Sequence, residues 1–176
     1  MTLIVETGQG IYDADSYVTR DYVDTYWANR PHDANATAWA ASSNNNDNKD
    51  GCIREAMLYL DAVYNVRYRG KRRSRAQGLE WPRTDAFDED NYELPDLPSE
   101  IQKAVAELAV RAITTRLAID YDRSGNLASE ERKIGALSIK TNYVNWSGSS
   151  LRRKLGFVDE LLTPILKTGG VGWAWR

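Results

Sequence analysis

One cysteine, one histidine, two phenylalanines and five prolines are all that a chain of 176 residues holds of those types. The lone Cys52 excludes an internal disulfide framework and cysteine-rich zinc sites. The lone His32 excludes a multi-histidine metal centre, and its place between Pro31 and Asp33 reads as a surface turn rather than a catalytic base. No apolar run reaches six residues, so no segment spans a bilayer. Met1 to Glu6 lacks the basic start and apolar stretch of a signal peptide, and the expectation is a soluble intracellular protein. A phosphate-binding glycine loop, a nucleophile elbow and a metalloprotease helix are all missing. Asp88-Glu89-Asp90 lacks the loop spacing of a calcium site. Neither sign of charge dominates: 23 Lys and Arg face 25 Asp and Glu, a net charge of −2, which argues against a wholly basic nucleic-acid coat. The expectation is a protein without catalytic residues, cofactor or metal, whose function lies in its surfaces.

What the chain has is aromatic side chains with polar handles, six Trp and ten Tyr, which suit half-wet surfaces and subunit contacts as well as cores. It also has helical periodicity. Thr19 is placed to cap a first helix in which Tyr22, Val23, Tyr26 and Trp27 share a face, and Asn29-Arg30-Pro31 ends it. Residues 36–42 suit a short helical turn carrying Trp39, and Asn44 to Asn48 reads as an exposed loop. A second long helix spans about 48–64 on the stripe Cys52, Ile53, Ala56, Met57, Leu60 and Tyr64, with Arg54, Glu55 and Asp61 off it; Cys52 there reads as a small buried hydrophobe. A third, apolar round much of its circumference and therefore central, spans about 98–119. Alternation around Gly135 in Arg132 to Lys140 predicts a β-hairpin. A short last helix carries Phe157, Val158, Leu161, Leu162 and Ile165.

Charge is segregated along the chain. Residues 66–83 carry seven basic side chains and Glu80, whereas residues 84–100 carry seven acidic ones and no base. The segment is too charged and too proline-punctuated for a flexible linker, and reads as an ordered excursion at 65–97. Its basic run, Arg67, Arg69, Lys71, Arg72, Arg73 and Arg75, suits phosphate backbones and stacked bases. The same run suits ionic pairing with the acidic Asp85, Asp88, Glu89, Asp90 and Glu93, within the chain or across subunits, or plain solvation. The last residues, Trp173-Ala174-Trp175-Arg176, put two indoles on one face when extended, which suits docking on another chain or folding back on the same one.

Several blocks resemble a family of tailed-phage neck proteins, the head-tail adaptor or head-completion proteins. Some members of that family carry the description DnaT-like single-stranded-DNA-binding protein. The carrying residues are Asp15-Ser16-Tyr17-Val18 with the helix ending in Tyr26-Trp27, then Leu60-Asp61 and Tyr68-Arg69-Gly70. They continue with Gln77-Gly78-Leu79-Glu80-Trp81-Pro82-Arg83, the Leu97-Pro98 helix start leading to Glu107-Leu108-Ala109, Glu131-Arg132 with Ile134-Gly135, and Leu161-Leu162 with Pro164-Ile165-Leu166. The asparagine loop, the enlarged Lys71–Arg75 run and the Gly/Trp tail depart from the pattern.

The elements read along the chain add up to a mainly α fold, which the resemblance fits: a small bundle of about four helices with one β-hairpin, an extended interaction loop and a C-terminal tail. The resemblance implies a single adaptor domain over 1–168, and the sequence adds beyond the family pattern a docking tail over 169–176 in which Trp173, Trp175 and Arg176 are expected to make the contact. The partners implied are a homo-oligomeric ring of twelve copies, a portal protein, tail or tail-terminator and nozzle proteins, and incidental contact with packaged DNA. The place implied is the virion neck. The alternative it carries is an accessory protein that binds single-stranded DNA. The small negative net charge and the lack of an OB-like series of strands weigh against that alternative.

Overall fold

In a computed structural model the described residues are 2–42, 46–117, 129–134, 137–142 and 155–167, and of the strands at 129–142 the backbone pairing alone is described. Five helices form among them, so the fold is mainly α. Helix α1 (Arg20–Ala28) starts where the Thr19 Oγ1 accepts the Tyr22 N–H at 3.1 Å. Helix α2 (Ala34–Ala41) starts where Asp33 Oδ1 accepts the Asn35 N–H at 2.8 Å. In both, the cap satisfies a backbone donor that the first turn leaves without a helical partner. What the sequence suggests as a helical turn around Trp39 is thus a full two-turn helix.

Helix α3 (Asn46–Tyr64) buries Ile53, Ala56, Met57, Leu60 and Tyr64, the stripe its periodicity predicts. Cys52, expected to be buried, is half-buried. Asp61, off the stripe, is nevertheless largely enclosed by the charged excursion, which covers a flank that an isolated helix would leave wet. Near the start of α3 two charged residues are buried with partners: Lys49 Nζ donates to Asp24 Oδ1 at 2.6 Å, and Asp50 accepts from Arg20 at 3.2 Å.

Helix α4 (Ser99–Ala112) is the core element, with every residue from Ala104 to Val110 buried. Trp27 Nε1 donates to the Ala106 carbonyl at 3.2 Å and Tyr26 Oη to Glu107 Oε1 at 2.9 Å, which fixes α1 on α4. The expected extension of this helix to 119 is not found. The β-branched run Ile113-Thr114-Thr115 has weak helix propensity. Beyond it the chain turns so that the Leu117 N–H donates to Glu55 on α3 at 3.1 Å and Leu117 itself is buried.

Helix α5 (Gly156–Leu162), followed by a 3-10 turn at Thr163–Ile165, packs on α4 through Val158 and Leu162. It is tied to α3 where Tyr64 Oη donates to Asp159 Oδ1 at 2.8 Å.

Two antiparallel strand pairs complete the described fold. Strand β1 (Lys71–Arg72) pairs with β2 (Arg83–Thr84) inside the charged excursion. Strands β3 (Ser129–Ile134) and β4 (Leu137–Asn142) form the expected hairpin, in the register Ser129 to Asn142 and Ile134 to Leu137. The helices with the excursion form one compact unit (1–118 and 155–176), and residues 119–154, with the hairpin, form a second. No helix among the described residues is long and apolar enough to cross a membrane.

Candidate nucleic-acid interface

The charged excursion is an ordered strap. It leaves α3 at Tyr64, and its first residues pair with the chain after α5: the Arg69 N–H donates to the Ile165 carbonyl at 3.1 Å and the Lys167 N–H to the Arg67 carbonyl at 2.7 Å. Tyr68, Trp81 and Tyr17 are fully buried beneath it, and the Tyr68 and Trp81 rings meet edge-on at 6.0 Å. The Trp81 N–H donates to Tyr17 Oη at 2.9 Å, and the Trp81–Pro82 peptide is cis. Gly70 permits the turn into β1: its φ is +68°, and a Cβ there would lie 2.4 Å from the Thr84 carbonyl oxygen.

Arg83 is the strut of the strap. Its side chain is only 7% exposed and its guanidinium donates to the carbonyls of Arg69 (2.7 Å) and Gly70 (3.0 Å) and to Glu80 Oε2 (2.8 Å). Arginine suits this place because its planar fork offers five fixed donors.

Most of the basic run is committed inward in the same way. Arg69 donates to the carbonyls of Leu166 and Phe87 at 2.7 and 3.0 Å and reaches Glu89 at 3.4 Å. Arg72 holds the Gln77 carbonyl and lies 3.9 Å from Glu80. Arg73 donates to the Gly8 carbonyl at 2.7 Å and pairs with Asp96. Arg67 stands over the Tyr64 ring and 3.4 Å from Asp159. Only two cations of the run face outward with little or nothing holding them. Lys71, 82% exposed, lies 3.8 Å from Asp85, itself 71% exposed, and Arg75 is exposed with no partner among the described residues. Solvent screening makes a pair such as Lys71–Asp85 contribute little.

The acidic half is divided too. Glu89 and Asp85 take part in the pairs above, and Asp88 Oδ1 accepts the Tyr92 N–H at 2.8 Å within a tight turn at 88–92. Asp90 and Glu93 are exposed. Trp173, Trp175 and Arg176 lie outside the described residues.

Two features absent from the sequence reading complete the surface. First, the Glu6 carboxylate is buried and accepts four backbone N–H groups: Gly8, Gln9 and Gly10 on Oε1 (2.8, 2.8 and 2.9 Å) and Ile11 on Oε2 (2.7 Å). This nest, made possible by Gly8 and Gly10 at positive φ, holds the 7–12 loop against the strap. The alternating glycines after an acid were the available signal. Second, Tyr12 projects from that loop 78% exposed. The loop adjoins the strap's tip: the Gly78 N–H donates to the Ile11 carbonyl at 3.0 Å, and the Gly78 Cα lies so close to the Tyr12 carbonyl that a Cβ would meet it at 2.7 Å. An exposed aromatic therefore sits on the loop that meets the β1–β2 connection, the stretch that carries Arg75.

Beneath the strap, burial pushes the Asp61 carboxyl up to about 7; the Glu80 carboxylate adds to the rise and Arg72 opposes it. Burial likewise raises the Tyr17 and Tyr68 hydroxyls well above the usual phenol range, with Asp61 adding to both. Among the described residues no three His, Cys, Asp or Glu side chains converge to hold a metal ion.

Over residues 1–176 the chain matches the model of a family described as "Putative DnaT-like ssDNA binding protein". No curated protein and no solved structure matches it. The match carries the single-stranded-DNA side of the resemblance drawn from the sequence motifs and says nothing of the neck-adaptor side.

Proposed function

We propose, since the chain belongs to this family of DnaT-like ssDNA-binding proteins, that it binds single-stranded DNA without sequence preference at the Tyr12 edge of the strap. The observation that carries the reading is a pair of features: an exposed aromatic, Tyr12, on the loop that meets the strap at Gly78, and two outward cations in the strap's otherwise internally paired basic run. Lys71 and Arg75 would neutralise phosphates, and a base would stack on Tyr12, whose π-face accepts any base. Arg69, Arg72, Arg73 and Arg83 shape the strap rather than touch DNA, because each would have to break internal hydrogen bonds to do so. Anisotropy of a labelled oligothymidylate at low salt tests this. Tyr12→Ala should weaken binding about 5- to 150-fold, the value of one stacked base of about 1–3 kcal/mol, while leaving the melting temperature unchanged. A Tyr12→Ala protein that binds as tightly as the wild type refutes the assignment of the surface.

A second reading rests on a different observation. With the strap's charges largely satisfied inside the chain, its 87–93 turn offers solvent two aromatic side chains, Phe87 and Tyr92, the latter 72% exposed. Such a patch suits protein contact. In this reading the protein is a non-enzymatic adaptor in the neck of a tailed phage, a ring of twelve copies between portal and tail. Electron microscopy of the purified protein alone and mixed with portal rings discriminates: annular particles support it, and unassembled protein in both samples opposes it.

A further inference from the structure

Between α1 and α2 lies an open groove of about 510 Å³ lined by Asp24, Trp27, Pro31, Ala36, Trp39 and Ala40. The two buried indoles make its floor, and small side chains leave the room above them. The volume lies in the range of sites that enclose one or two ring systems. One end is polar. Asp24 Oδ1 accepts both the Trp39 Nε1–H and Lys49 Nζ at 2.6 Å, while Oδ2 has no partner among the described residues and the side chain is 41% exposed.

We propose that this groove receives the Trp173–Arg176 segment of a second copy of this chain. The chemistry matches part for part. Trp173 and Trp175, one residue apart, present both rings to the same side when extended. The Arg176 guanidinium next to them complements the open carboxylate oxygen of Asp24.

Reach favours a donor in another copy. Lys167 is fixed at the far end of α3, its N–H donating to the Arg67 carbonyl at 2.7 Å and its Nζ to the Val66 carbonyl at 3.1 Å. The groove lies at the near end of that helix, beside Lys49. From Lys49 to Tyr64 the helical rise alone amounts to about 22 Å. Trp173 follows Lys167 by six residues, which span at most about 21 Å when fully extended. The chain's own segment would have to run taut and straight merely to arrive, with Gly169, Gly170 and Gly172 favouring bent conformations on the way. A neighbour's segment meets no such limit. Docking of this kind is head-to-tail, so it builds closed rings or open chains of copies. It depends on neither functional reading above.

The test is sedimentation velocity of the full chain and two variants over a concentration series. Trp173→Ala/Trp175→Ala removes the insert and leaves the groove. Ala40→Arg, on an exposed helical position, fills the groove and places a cation against Arg176; Thr37→Trp fills it from another exposed position on α2 should Ala40→Arg lose its circular-dichroism helix signal. The wild type should associate with rising concentration, each variant alone should remain monomeric, and an equimolar mixture of the two should give a 1:1 pair, one intact groove holding one intact insert. A wild type that stays monomeric throughout overturns the proposal, as does a variant that associates like the wild type or a mixture that does not pair.

Discussion

Replacing Arg83 by alanine should collapse the strap, whereas replacing Arg75, eight residues earlier in the same basic segment, should leave stability unchanged. Arg83 is almost fully buried and holds four acceptors at once, the Arg69, Gly70 and Glu80 carbonyls and the carboxylate of Glu80, whose side chain is only 18% exposed. Removing one partner of such a buried, hydrogen-bonded pair costs about 3–5 kcal/mol, mostly because the remaining charge stays buried without its counterpart. Arg72, 3.9 Å from the other Glu80 oxygen, offsets part of that, so about 3 kcal/mol is the expected loss. At a urea dependence of about 1.5–2 kcal/mol per molar, the unfolding midpoint falls by about 1.5–2 M. Arg83→Lys should recover little, since a single ammonium cannot span these acceptors. Arg75→Ala, exposed and without a partner among the described residues, should stay within about 0.5 kcal/mol of the wild type. The assay is urea denaturation followed by tryptophan fluorescence, to which the buried Trp27, Trp39 and Trp81 all contribute. Equal midpoints for Arg83→Ala and the wild type would refute the claim that Arg83 is the strut of the strap.

Two glycines should respond in opposite directions. Gly70→Ala forces a Cβ into the Thr84 carbonyl at positive φ and should lower the melting temperature by about 6–10 °C, equivalent to about 2–3 kcal/mol. Gly51→Ala, in α3 with nothing within 4 Å of the new Cβ, should raise it by about 2 °C. Asp61 makes stability depend on pH. With its folded carboxyl pushed up to about 7, the folded state keeps a proton that the unfolded chain releases from about pH 4 upward. Stability therefore falls as pH rises from about 4 to about 7 and levels off above. Asp61→Asn should flatten that fall and make the protein more heat-stable than the wild type at pH 8. Thermal melts of both proteins at pH 5 and pH 8 that run parallel would contradict it.

The helices were legible because their apolar spacing and their caps are local signals. Thr19 and the Trp27 face, and the Ile53–Leu60 stripe, needed nothing from the rest of the chain. The end of α4 was not legible in the same way, since apolar residues continue past Ala112 and it is the contact of Leu117 with Glu55, sixty-two residues away, that turns the chain aside. The basic run shows the limit for function. Its composition is the same whether the guanidinium groups face phosphates or carbonyls, and the choice is made by acceptors as distant in sequence as Gly8 and Leu166. Glu6 and Tyr12 went unmarked for a related reason: a carboxylate in a nest of amides and an exposed ring beside a loop are properties of the folded arrangement, not of either residue.

The central claim is that few cations of this strap are free to meet DNA. The salt dependence of oligothymidylate binding measures that number directly, because each phosphate neutralised on a single strand contributes about −0.7 to the slope of log affinity against log salt. With Lys71 and Arg75 alone in contact, a slope near −1.4 is expected. A slope of about −4 would mean that the whole run, Arg67 to Arg75, meets the backbone, and the absence of any binding at low salt would mean that none of it does; either result contradicts the account.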